Sequence, residues 1–135
     1  MTERDLMRYV ICKREELRLR EMLYEYESVR SSARSPKISP LPSNRGVDTQ
    51  LKLAADIDRI DKVTERLNQA IARTLEAEQY ISVVRDLLDD IIEIKVFEQL
   101  YYYGKSISEA ACSLDYSIAT IYRKRENILT VAARV

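Results

Sequence analysis

Apolar residues recur with a helical period along almost the whole of this chain. The strongest run is Ile60, Val63, Leu67, Ala70, Thr74, Ala77, Ile81, Val84, Leu88 and Ile91, an unbroken alternation of three and four residues, with Leu53 one heptad earlier. Such spacing puts one stripe on one side of a helix and predicts a coiled-coil seam sustained for more than four heptads. A core helix of a compact bundle would show the same pattern. Ala70, Thr74 and Ala77 are small, so a partner helix can approach closely there. Asp48 is placed to cap the start of this helix.

Residues 2–30 contain no helix breaker, and Val10, Leu17 and Tyr24 recur every seven positions. Leu19, Leu23 and Tyr26 broaden that stripe, while Lys13, Arg20 and Glu27 interrupt it, so an amphipathic helix is expected. The two helical runs are separated by residues 31–46, SSARSPKISPLPSNRG, which hold all three prolines and five serines. A helix cannot pass through Pro36, Pro40 and Pro42, so this stretch is predicted to be an exposed loop. Two long helices around such a loop predict an antiparallel helical hairpin over residues 1–88. The first helix offers fewer apolar positions than the second, and that mismatch favours self-association, most simply a homodimer.

Residues 89–135 read differently. IIEIKVFEQLYYY is an apolar helix that ends at Gly104, a residue suited to the left-handed position after a helix. Whether the helix from Asp48 runs unbroken to Tyr103 or bends near Asp89-Asp90 stays open, because no Gly or Pro marks a break there. Ser106 and Glu109 have the spacing of a capping box that starts a helix at Ile107–Leu114. Asp115-Tyr116-Ser117 is a compact break, and Ser117 is a natural cap for a helix Ile118–Ala132. Two short helices joined by a tight turn form the helix-turn-helix pattern. Ala111 stands where the helices cross, Asp115 takes the turn position that usually carries glycine, and Ile121 is the apolar anchor of the second helix. The expected fold is therefore all-α: a long antiparallel hairpin, then a C-terminal helix-turn-helix domain.

With Ile121, Ile128 and Leu129 inward, Ala119, Thr120, Arg123, Lys124 and Asn127 share the outer face of the second helix. Thr and Ala can contact a thymine methyl, and Arg can pair bidentately with guanine. Lys105 and Arg125 are cast as phosphate contacts, with Ser117 at the helix start. These eight residues are the candidate site for double-stranded DNA. A run such as Arg123-Lys124-Arg125 is, taken alone, more often a solvated helix face.

Composition removes other chemistries. There is no histidine, hence no Ser-His-Asp or Cys-His pair and no zinc finger. Two glycines cannot build a phosphate-cradling loop, and Cys12 and Cys112 are a hundred positions apart, which is no metal-ligand spacing. No metal, cofactor or enzymatic activity is expected. The amino terminus lacks a signal-like apolar stretch and no run approaches a membrane span, so a cytoplasmic protein with two buried thiols is expected. The 22 basic and 22 acidic residues cancel. Residues 104–135 carry five bases against three acids, and residues 85–100 two against five. A neutral chain lacks the basic footprint of a tight DNA binder, so each chain should bind weakly and work with partners.

Residues 98–129, EQLYYYGKSISEAACSLDYSIATIYRKRENIL, resemble the sigma-factor region-4-like helix-turn-helix. The resemblance lies in Tyr103, Gly104, Ser106, Glu109, Ala111, Leu114, Tyr116, Ser117, Thr120, Ile121 and Arg123. Together with the charged first helix, the Ser/Pro-rich loop and the heptad helix, the chain is similar to small phage proteins related to the RinA and ArpU late-gene transcription regulators. That resemblance implies a phage or prophage protein of the cytoplasm that binds promoter DNA and touches RNA polymerase or another phage or host regulator. Asp115 in place of glycine, and Ala110-Ala111-Cys112 in place of more aliphatic residues, depart from the motif. A second class therefore stays open: a protein-interaction module, such as an anti-repressor, acting through the hairpin. A purely structural coiled coil is the third.

Overall fold

The computed structural model describes the backbone of residues 1–33 and 45–135, and the side chains of residues 1–29 and 51–135. Among the described residues the chain is all-helical, with no strand. Helix α1 spans Glu3–Ala33, α2 Arg45–Asp86, α3 Ile91–Phe97, α4 Ile107–Leu114 and α5 Ile118–Ala132. A π-helical turn, Glu98–Tyr102, continues α3. Residues 34–44, the greater part of the expected loop with its three prolines, lie outside the described residues. The ends of that stretch are helical, since α1 reaches Ala33 and α2 already includes Arg45. Asp48 consequently lies inside α2 and is not its cap.

The long helix is broken near Asp89-Asp90. It stops at Asp86, where Leu87 and Leu88 donate to the carbonyls of Val84 and Arg85 in a tight turn. Asp90 then caps α3, its carboxylate accepting from the Ile92 N–H at 3.0 Å. An N-cap side chain restarts a helix without any Gly or Pro.

The described chain forms two compact units, Met1–Arg14 with Ala72–Val135, and Glu15–Ile71. In the first, Leu6 of α1 and Ile81, Val84 and Leu88 of the α2 end are buried with Val96, Phe97, Leu100 and Tyr101. The same core takes Ala110 and Ala111 from α4 and Ile121, Ile128 and Ala132 from α5. Complete burial of side chains such as Phe97, Ile121 and Ile128 stabilises by about 1.5–3 kcal/mol each. In the second unit, Leu19, Val63, Leu67 and Ala70 form a core with Met22, Leu23, Tyr26 and Ile71 against it.

The α2 stripe is largely as expected: Val63, Leu67, Ala70, Thr74, Ala77, Ile81, Val84 and Leu88 are buried. Leu53 and Ile91 are exposed. In α1 the heptad set does not hold, because Val10 is buried whereas Leu17 and Tyr24 are exposed. Leu19 lies nine residues after Val10, which is about half a turn out of phase at 100° per residue. A stripe phased on Val10 therefore misses the residues that α1 buries further on.

Candidate nucleic-acid interface

Helices α4 and α5 are fixed by local side-chain chemistry. Ser106 accepts from the Glu109 N–H at 3.2 Å, and its hydroxyl donates to the Glu109 carboxylate. Ser117 caps α5 in the same way, accepting from the Thr120 N–H at 3.2 Å and sharing a hydrogen bond with the Thr120 hydroxyl. Between them Asp115 adopts the left-handed conformation, with φ 57° and ψ 38°. The Tyr116 N–H reaches back to the Ala111 carbonyl at 3.1 Å and closes the end of α4. Aspartate is one of the few non-glycine residues that tolerates this backbone. Both helix ranges coincide with those read from the sequence.

Ala110 and Ala111 are buried beside Ile121, which fixes the rotation of α5 and leaves Ala119 and Arg123 pointing away from the core. Ser117 is also exposed, and Thr120 half-buried. Tyr116, Ile118 and Tyr122 are exposed apolar neighbours of this face.

Three of the four remaining candidate residues are held by acidic partners. Lys124 Nζ donates to Asp90 at 2.7 Å, and that carboxylate raises the Lys124 pKa. Asn127 donates to Glu93 at 3.0 Å. Arg125 donates through Nε and Nη2 to one oxygen of Glu3, at 2.9 and 2.5 Å. Its guanidinium is pushed further up by that carboxylate. Lys105 donates to Ser113 at 3.2 Å and lies over the exposed ring of Tyr103. The structure thus groups Ser117, Ala119, Thr120 and Arg123 on one exposed surface, with Lys124 and Asn127 at its α3 edge. Arg125 is on the other flank of α5, towards the first turn of α1, and Lys105 precedes α4.

Sequence reading did not assign Glu3, Asp90 and Glu93. For two of them a signal existed, since Asp90-x-x-Glu93 has the spacing of a capping box. Glu3 had none.

Beside Arg125 the ring of Tyr101 is 1% exposed. Its hydroxyl lies near Glu3 and Arg125 without a well-directed hydrogen bond to either. Burial, with the Glu3 carboxylate adding to it and Arg125 opposing, pushes its pKa up to about 12.

Both cysteines are free thiols, but Cys112 is exposed on α4 and Cys12 only half-buried, unlike the buried pair expected. The chain about each is helical, and Cys112 falls on the side of α4 opposite the core contacts of Ala110 and Ala111. Among the described residues no group of three or more acidic or cysteine side chains is arranged to hold a metal ion. Among them, too, no helix is long and apolar enough to cross a membrane. Comparison with protein families, with curated proteins and with solved structures finds no match.

Proposed function

We propose that this chain is a sequence-specific DNA-binding transcriptional regulator whose α4–turn–α5 segment acts as a helix-turn-helix, with α5 in the major groove. The observation that carries this reading is the left-handed Asp115 between two serine-capped helices, packed through Ala111 and Ile121, with Arg123 exposed. Arg123 takes the base-reading role, with Ala119 and Thr120 beside it, and Ser117 and Lys105 positioned for phosphates. The resemblance to the sigma-like module of phage regulators supports a cytoplasmic phage or prophage role with RNA polymerase or another regulator as partner. In the same reading, α1 and α2 form an antiparallel hairpin with coiled-coil character and support a homodimer. The Leu19–Val63–Leu67–Ala70 cluster favours the pairing of these two helices.

The test is selection of duplexes from a random pool, followed by mobility shifts with the bound sequence. Arg123→Ala should abolish the specific complex, while Lys105→Ala should weaken specific and non-specific binding alike. An Arg123→Ala protein that binds like the parent would sink the recognition face.

A second reading, a protein-interaction module such as an anti-repressor, is favoured by one observation. Tyr80 and Val83 are exposed apolar residues three positions apart on α2, and Leu87 is exposed just beyond its end. Stoichiometric capture of a repressor without DNA binding at moderate salt would favour it.

A further inference from the structure

Glu3 is the residue of interest. Its carboxylate receives both the Nε and Nη2 hydrogen bonds of Arg125, on a single oxygen. Beside this pair is a cleft of about 170 Å³, whose polar lining is Glu3, Tyr101, Lys105, Ser106 and Arg125. Arg125 pairs with that carboxylate, and Lys105 and Ser106, at the capped N-terminus of α4, line the same cleft. Tyr101, 1% exposed, also lines the cleft, and its buried hydroxyl lacks a well-directed partner. Arginine forks, tyrosine hydroxyls and helix N-termini are the groups that bind phosphate oxygens.

We propose that this cleft is a phosphate seat for the DNA backbone, occupied in the free protein by Glu3, which a backbone phosphate displaces. The inference rests on the DNA-binding reading above. Its physical content is competition: the Arg125 guanidinium is satisfied either by the protein's own carboxylate or by DNA, and the first lowers the affinity for the second. Glu3 belongs to the first turn of α1, where Thr2 and Asp5 bond to each other, so displacement would loosen that turn.

The experiment measures binding of the full chain to a duplex across a salt series starting near about 50 mM. Glu3→Gln should bind about tenfold more tightly than the parent, because a charge-assisted contact is freed for DNA. Its plot of log affinity against log salt should run parallel to the parent's, because Arg125 meets the same phosphate in both complexes. Adding Arg125→Gln should remove the gain and flatten the plot by about one, the mark of one lost phosphate contact. Glu126→Gln, which deletes an exposed carboxylate of α5, controls for net charge. A gain from Glu126→Gln equal to that from Glu3→Gln, or a gain that survives Arg125→Gln, overturns the proposal while DNA binding stands. If neither parent nor variant binds DNA, the regulator reading falls and this one with it. In the unaltered protein, hydrogen exchange at the Leu6 amide, which bonds to the Thr2 carbonyl, should accelerate on saturation with DNA. Unchanged exchange there would also overturn it.

Discussion

A Cβ on Gly104 would stand 2.6 Å from Cγ1 of Val10, so the turn before α4 and the first helix touch with no room for a side chain. Arg14 adds a hydrogen bond to the Gly104 carbonyl at 3.3 Å. The same glycine has φ +66°, so space and backbone both demand the absence of a side chain. Gly104→Ala should therefore cost about 2–4 kcal/mol, adding left-handed strain to overpacking. Urea unfolding followed by circular dichroism measures it. A loss under about 0.5 kcal/mol would mean that Val10 and the turn yield easily.

Asp115 presents the backbone half of that problem alone, since it is left-handed and exposed. Glycine at this position relieves the strain but loosens the unfolded chain, so Asp115→Gly should stay within about 1 kcal/mol of the parent. Asp115→Val, β-branched and without a local hydrogen-bonding side chain, should lose about 1–2 kcal/mol. Thermal melts of the three proteins give the ranking, and a valine variant as stable as the parent would contradict the turn geometry.

Asp90 ties stability to pH. The Lys124 ammonium, followed by the Ile92 N–H, holds its carboxyl below the usual carboxylate range. A group with a lowered folded pKa stabilises the fold above its unfolded value, near pH 3.8. That contribution fades as pH falls through the folded value. Asp90→Asn keeps an acceptor for Ile92 but loses the ion pair. Between about pH 5 and pH 3 the parent should lose stability more steeply than Asp90→Asn, as denaturant midpoints would show. Parallel curves would mean that the Lys124 pair is too well solvated to count.

What could be read from the sequence was what short-range chemistry decides. Ser106, Asp115 and Ser117 act on backbone groups within a few residues, so the limits of α4 and α5 and the left-handed turn were visible. The all-helical class followed from periodicity. That Asp90 pairs with Lys124 and Glu3 with Arg125 was not visible, because the partners are 34 and 122 positions apart. The burial of α1 escaped for a related reason. Val10 is covered at Gly104, and no local repeat encodes a contact across ninety-four positions. The π-helical turn likewise has no composition of its own.

One compact unit draws on both Met1–Arg14 and Ala72–Val135. Its core residue Leu6 is translated ninety residues before Val96, with which it is finally buried. At roughly 5–20 residues per second, a ribosome takes on the order of ten seconds to make the segment between them. Through that interval Leu6 has no core to join, and the unit can close only once α5 has been made.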